Sequence, residues 1–534
     1  MNQDRPGELR GTTALPFATA GRRPSHARRS ARDASGRSTF EDMNDDTPRP
    51  DTPETQTASH DPDFPERLLK FMRTGWADRP LPVSRRAEAD RYAERRARLS
   101  TAFPGETLVI PTGTEKVRAN DTDHRFRPGS DFVWLTGEHD PDSVLIMRPT
   151  GSGHEATLYV RPRSPRDTDE FFRDRRYGEL WIGRRHTLAE KASELDVATA
   201  PYADLPAALA DCAPARTRVL RGLDTGVDTA VARYDASEPG ARDKELAWTI
   251  SELKLVKDEW EIAQLRDAVD ATVRGFEDAA RVLPGDRPVS ERLVEGVFGL
   301  RARHDGNDVG YSSIVGSGAN ATILHWIRND GAITPGDLLL CDMGVENRHL
   351  YTADVTRTLP VSGRFSPAQR RVYEIVLAAQ QAGVDAVKPG LKWEDLALTI
   401  NRVLAEGLAE LGLLPCSVDE ALDKQSTVYR RWTLHGFGHM LGIDVHDCAN
   451  ARSEHYRKGA IDEGYVFTVE PGLYFQPEDD LVPAELRGIG IRIEDDVLCT
   501  DAGALNLSEA LPRQPDEVEA WLAAQREAGP RLPG

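Results

Sequence analysis

Apolar and polar positions alternate with different periods along this chain, and the changes of period mark its elements. From about Lys257, apolar residues recur at Trp260, Ile262, Leu265, Ala268, Val269, Val273 and Phe276. That spacing is close to the helical period of about 3.6 residues and predicts a long amphipathic helix. Before it, short runs read as strands at Thr107–Pro111, Phe132–Leu135, Ser143–Met147 and Ala156–Val160, with helical pattern around Ala87–Leu99. Further on, Ser366-Pro367-Ala368-Gln369 has the signature of a helix start: Ser at the N-cap, Pro at the first position, Gln at the third. This helix is expected to run to about Val387 and to stop before Lys388-Pro389-Gly390. After Gly436 the chain turns rich in glycine and strand signals, and no repeat of fixed short period is visible.

These patterns divide the chain into a mixed α/β region at about 66–248 and a second region at 249–515, where helices alternate with strands. Residues 516–534 follow as a tail or helix. A length of 534 residues agrees with two domains. Residues 1–65 are rich in Arg, Ser, Thr, Pro and Asp, lack apolar periodicity and read as a disordered extension. The arginines Arg22, Arg23, Arg28 and Arg29 are followed by no apolar segment, so a secretory or twin-arginine signal is not expected, and Met43 is the expected translation start.

Composition narrows the classes. The net charge of −19 disfavours a nucleic-acid partner, whose backbone calls for a basic surface. The longest apolar runs, such as Leu338–Leu340, are strand-sized, so no membrane span is expected. The 5 cysteines are odd in number and widely spaced, which argues against a disulfide scaffold or a thiolate zinc site. A reducing compartment, the cytoplasm, is the expected location.

Candidate chemistry begins at Leu338-Leu339-Leu340-Cys341-Asp342, a buried-strand pattern that ends on a carboxylate. Alone, Asp342 would read as a strand-end residue capping a turn. Asp354 follows twelve positions later on a second strand-like segment, and a hairpin turning at Glu346–His349 can bring the two together. Hard divalent cations favour such an oxygen-rich corner. His435, His439 and His446 then fall within twelve residues, with Gly436 and Gly438 favouring an irregular turn over a helix. In Gly488–Glu494, Ile489, Ile491 and Ile493 face one way, and Arg492 and Glu494 the other. In Val466–Gly472, Phe467 and Val469 face the core and Glu470 lies opposite, before Pro471-Gly472 ends the strand. The charged face could also be a solvated one carrying a cross-sheet ion pair. Together, four carboxylates and a histidine suit a pair of divalent ions that ionise a water between them and polarise a carbonyl.

The order Asp342, Asp354, His439, Glu470, Glu494 resembles the ligand set of the pita-bread metallopeptidases, which include methionine aminopeptidase, prolidase and Xaa-Pro aminopeptidase. Ile314–Ala321 with Leu324-His325, Thr468–Tyr474 and Arg487–Asp496 are most similar to the Xaa-Pro aminopeptidases. The likeness covers nearly all of the second region and extends weakly into the first, at Arg127–Gly137 and Glu179–Arg185. It implies an α/β (α+β) architecture with a mixed N-terminal domain and a C-terminal pita-bread catalytic domain. It also implies a metallo-exopeptidase that removes the residue before proline. In that resemblance Asp342 chelates one ion, Asp354 and Glu494 bridge, and His439 and Glu470 complete the second. The ions would be manganese, with zinc or cobalt also fitting. His325, His435 and His446 would be catalytic histidines, Glu470 a proton carrier and Arg492 the organiser of the acids. Asp121, Trp181 and Tyr474 would bind substrate, with Trp181 reaching a neighbouring subunit of a homodimer or homotetramer. The family commonly places its two aspartates eleven positions apart, so the additional residue is expected at the hairpin tip, around Asn347–His349. The alternatives are a prolidase and, from another class, a pita-bread module that binds without catalysis.

Overall fold

The computed structural model describes residues 64–231, 240–283 and 289–533. The expected extension before residue 64, including Met43, lies outside them.

The N-terminal lobe is built on a five-stranded mixed sheet, ordered Ala198–Pro201, His154–Val160, Val144–Pro149, Thr107–Pro111, Thr217–Val219. The central three strands pair antiparallel and the two edge strands run parallel to their neighbours. Three expected strands therefore lie in one sheet. The fourth is a correction, because Phe132–Leu135 belongs to a helix, Ser130–Thr136. Its four apolar residues are all buried, so no polar face was left to reveal the helical period. Gly137, at φ 68°, closes this helix in the left-handed conformation that glycine adopts without strain.

The expected amphipathic helix is Glu259–Val282. Asp258 caps it, accepting from Glu261 N–H while the Glu261 side chain accepts from Asp258 N–H. Glu261 also receives Trp134 Nε1–H at 3.0 Å and the Tyr351 hydroxyl at 2.8 Å. One buried carboxylate thus ties the N-terminal lobe, the long helix and the loop before Asp354.

From here the chain runs twice through a similar course. Helices Glu259–Val282 and Glu291–Asp305 pack together and lead into the antiparallel sheet Ile314–Ser317, Leu338–Met343, Val355–Pro360. Helices Pro367–Ala386 and Trp393–Glu410 then pack together and lead into a second antiparallel sheet, Val466–Val469, Asp495–Thr500, Gly503–Asn506. The Ser366 capping box forms as expected, and the helix ends at Ala386. A large apolar core joins both halves, from Phe276 and Phe298 to Phe467 and Ile491. The helix Pro515–Ala528 closes over this core with Val518 and Leu522 fully buried. No helix among the described residues is long and apolar enough to cross a membrane.

Candidate metal centre

The first two acids sit on one hairpin. Its register pairs Leu338 with Pro360 and Asp342 with Thr356, ends at Met343 with Val355, and is resumed by the isolated bridge between Glu346 and Thr352. In an antiparallel ladder, residues directly opposite share a face, and so do positions two apart. Asp342 and Asp354 therefore face the same side. The tip closes through Asn347 N–H to Tyr351 O (2.8 Å) and Leu350 N–H to Asn347 O (3.0 Å), with Leu350 at φ 67°. This is a three-residue turn ending in a left-handed residue. The common register leaves both aspartates on one face. Asn347 Oδ1 accepts from His349 N–H and Tyr351 N–H and rigidifies the turn. The strands approach so closely that a Cβ at Gly344 would lie 1.7 Å from Ala353 O.

The other two acids sit where two strands break. Val469 pairs with Asp495, and Gly472 pairs with Arg492. That register sets Glu470 directly opposite Glu494, in a gap where Pro471 lacks an N–H for the ladder. Two like charges about 4–5 Å apart repel by roughly 3–4 kcal/mol at an effective dielectric of ~20. Glu494 is nonetheless only 1% exposed, and Glu470 is half-buried. The expected charged face is thus real, but it is buried inside the lobe and not solvated.

The four acids converge with histidine. His439 Nε2 lies 3.3 Å from Asp354 Oδ2 and 3.5 Å from Glu470 Oε1. Its Nδ1 is placed to donate to Met440 O at 3.2 Å, which turns Nε2 towards the acids. One ligand atom each from Asp354, His439 and Glu494 lie within 4.8 Å of one another. Arg492 reaches Asp342 Oδ2 at 2.5 Å, Tyr474 Oη at 2.9 Å and Thr356 Oγ1 at 3.0 Å. Thr356 in turn donates to Glu494 Oε2 at 2.5 Å.

Electrostatics records the crowding. Burial raises the Asp342 carboxyl to about 6; Arg492 opposes the rise and the Asp354 charge adds to it. Burial and the surrounding carboxylates hold Glu494 well above the usual range. Burial would also raise Glu470, but His435, His439 and Arg492 outweigh it and hold that carboxyl at about 2. His439 rises to about 9 because Asp354 and Glu470 outweigh its burial. Among the described residues, Arg492 is the one arginine that pairs with the side chains of these acids, so the four acids outnumber their permanent cations. An all-oxygen set with one imidazole and surplus negative charge fits hard or borderline divalent ions.

A residue that sequence reasoning missed sits at the centre. The Tyr311 hydroxyl bonds Asp342 Oδ1 at 2.6 Å and Asp354 Oδ1 at 2.5 Å. Tyr311 lies in the loop before Ile314–Ser317 and belongs to no periodic pattern. Its Tyr-Ser-Ser context gave no signal.

Of the other expected site residues, His325, His435, His446 and Arg492 line one cavity of about 590 Å³ with the four acids and His439. His435 stands 3.3 Å from Glu470 through Nδ1, and its Nε2 shares a 2.8 Å hydrogen bond with Tyr474 Oη. Tyr474 therefore meets Glu470 through His435 and not directly. The His446 ring packs edge-on against His439, with centroids 4.4 Å apart. Asp121 and Trp181 are not among the cavity lining. Both are exposed on the N-terminal lobe, where Arg175 bonds Asp121 at 3.3 Å and lies 5.1 Å from the Trp181 ring.

A nest of four acids and an imidazole, set at the meeting of two sheets on the wall of one cavity, is the donor set of a metal-dependent hydrolase. Residues 263–501 match the model of metallopeptidase family M24, and residues 92–220 match that of the aminopeptidase P N-terminal domain. A Xaa-Pro aminopeptidase 1 of Streptomyces coelicolor is 51% identical over 467 residues, which cover 87% of this chain and 93% of that protein. The solved structure of a proline aminopeptidase P II from Yersinia pestis superposes with a TM-score of 0.72 at 32% identity, covering 82% of this chain and 99% of that one. A zinc-substituted Escherichia coli aminopeptidase P in complex with product gives a TM-score of 0.73 at 30% identity, covering 83% and 100%. The chain belongs to the Xaa-Pro aminopeptidases of metallopeptidase family M24 and has their two-domain, pita-bread architecture.

Proposed function

We infer that this chain releases the first residue of peptides whose second residue is proline, and that Asp342, Asp354, His439, Glu470 and Glu494 hold two divalent ions for the purpose. The observation that carries the reading is the facing pair Glu470 and Glu494. Two glutamates in direct register on the wall of one cavity attract cationic charge between them. Manganese suits this oxygen-rich set, and zinc or cobalt would also fit it. When bound, such ions ionise water at neutral pH and polarise the scissile carbonyl.

The chain's own residues then have distinct tasks. Glu470 takes the proton of the attacking water and passes it to the proline nitrogen as that group leaves. His435, held by Tyr474 beside Glu470, donates to the carbonyl oxygen as its charge develops. His446 and His325 flank the peptide from the cavity wall. Arg492 keeps Asp342 and Tyr474 in place. Proline has no amide N–H and a fixed φ, so selectivity rests on a pocket shaped for its ring.

The exposed run Leu180, Trp181, Ile182 supports a homo-oligomer in which Trp181 and Asp121 serve a neighbouring copy's site. All five cysteines are free, which supports the cytoplasm as the working compartment.

Mass spectrometry of products from a Xaa-Pro-Xaa peptide tests the reading. Protein stripped by a chelator should be inactive, and readdition of manganese should restore release of one free amino acid and Pro-Xaa. Equal turnover by the stripped protein, or cleavage after proline, would overturn it.

A further inference from the structure

Glu291 is a fully buried carboxylate that is not part of the catalytic cavity's lining. It opens the helix Glu291–Asp305, whose N-terminal end favours negative charge. Four N–H groups converge on it. Ser317 N–H and Asn320 Nδ2 donate to Oε1 at 2.8 and 2.9 Å, and Trp326 Nε1 and Gly331 N–H donate to Oε2 at 2.8 and 2.7 Å. The backbone adds a bond from Glu291 N–H to Gly331 O at 3.0 Å. All four donors belong to residues 317–331, the segment that carries His325. We propose that Glu291 is a positioning residue for the reaction, which through this segment holds His325 in the pose that flanks the peptide. The proposal rests on the aminopeptidase reading above.

The course of the segment explains why it needs a hold. It leaves the strand Ile314–Ser317, makes one tight turn at Gly318–Thr322 and returns at Ala332–Ile333, which pairs with Val289–Ser290 directly before Glu291. Between turn and return, Leu324, His325 and Ile327 line the catalytic cavity, and His325 and Ile327 are exposed. Trp326, between those two, is not part of the lining and reaches Glu291 instead. Its indole therefore sets where its two neighbours stand. Beyond the tip, Asn329 is buried at φ 47°; it accepts from Val315 N–H at 3.0 Å and donates to Ser313 O at 2.9 Å. That clasp fixes the return and leaves the tip to Trp326.

The site calls for a carboxylate. Ser317 N–H, Gly331 N–H and the Trp326 indole can donate but not accept. A carboxylate meets donors on both oxygens. An amide of the same shape would set its NH₂ against one pair of them and leave buried donors unpaired. The packing gives no room for a shift, because a Cβ at Gly331 would lie 2.5 Å from Asn320 Nδ2 and 2.8 Å from Glu291 Oε1. These four bonds run to the segment and not to the acids of the metal centre, so their loss should fall on His325 and spare metal binding.

The test is a double-mutant cycle on the manganese-loaded full chain with Ala-Pro-Ala as substrate. Glu291→Gln should lower kcat/KM about 30-fold, mainly through kcat, with the metal content by elemental analysis unchanged. Beside His325→Ala the same change should cost less than about threefold, because the side chain it places is gone. Trp326→Phe removes one donor and keeps the carboxylate. It should cost about fivefold in the parent and lose that cost beside His325→Ala, and it carries the cycle if Glu291→Gln does not fold. Equal losses in both backgrounds, or a loss of metal, would mark Glu291 as general scaffold and overturn the proposal. Full activity of Glu291→Gln or of His325→Ala would overturn it as well. A parent protein that releases no alanine from Ala-Pro-Ala would instead overturn the aminopeptidase reading, and this inference with it.

Discussion

Residues 259–360 and residues 367–506 each run through two packed helices into a three-stranded antiparallel sheet, yet they deliver their acids to the site by different means. In the first half, the ladder between Leu338–Met343 and Val355–Pro360 is unbroken, and parity alone sets Asp342 and Asp354 on one face. Their repulsion is met locally, by the Tyr311 hydroxyl that bonds both. In the second half, the ladder is interrupted at Pro471, and Glu470 faces Glu494 across the gap. Their neighbours come from elsewhere: His435 and His439 from an irregular loop, Thr356 from the first half. The comparison shows that a regular strand pair can present two acids without losing hydrogen bonds. A pair in direct register instead needs an opening, and the opening needs outside support. The two halves are also sewn together at the site itself, by Arg492 to Asp342, Thr356 to Glu494 and His439 to Asp354.

Breaking the second half at its weakest support should have the largest effect. Glu494→Gln keeps the shape but removes the charge of a proposed ligand, and activity should fall about 1,000-fold, a loss of ~4 kcal/mol in transition-state stabilisation. Elemental analysis of the variant should show a reduced metal content. Tyr311→Phe probes the first half. Removing a hydroxyl that orients two ligands should weaken metal binding or kcat by about 10–100-fold, read by metal titration and by steady-state rates. An unchanged affinity would mean that the hairpin holds its acids without help.

Proton competition sharpens the comparison further. The Asp342 carboxyl is raised to about 6 in the metal-free protein. Its ionised form is disfavoured there, so the metal-free fold gains stability as pH falls through about 6, while metal must displace the proton. The thermal shift caused by manganese should therefore be larger at about pH 7.5 than at about pH 5, as scanning calorimetry would show. The smallest effect concerns the two helix starts. Ser366→Ala, which removes the second half's capping box, should cost about 1 kcal/mol in a denaturant titration. Asp258→Ala should cost more, about 2 kcal/mol, because Asp258 also pairs with Arg91 and Arg95.

Much of this was legible in local pattern. The capping box at Ser366, the long helix and the isoleucine parity of residues 489–493 are short-range features, and period and chirality decide them within a few residues. The helix at Ser130–Thr136 was misread for the same reason: a run buried on every side carries no period. The burial of Arg492 and Glu494 was hidden too, because alternation shows that two faces differ but not what covers each.

The sequence by itself determined the order of Asp342, Asp354, Glu470 and Glu494 and the facing of the two glutamates, since strand parity is a property of neighbouring residues. Only the tertiary structure decided that Glu470 meets Glu494 in register, that Tyr311 clasps the two aspartates, and that Glu291 gathers the segment bearing His325. Those relations join positions separated by tens to hundreds of residues. They depend on how helices and sheets pack, and no local period carries that information.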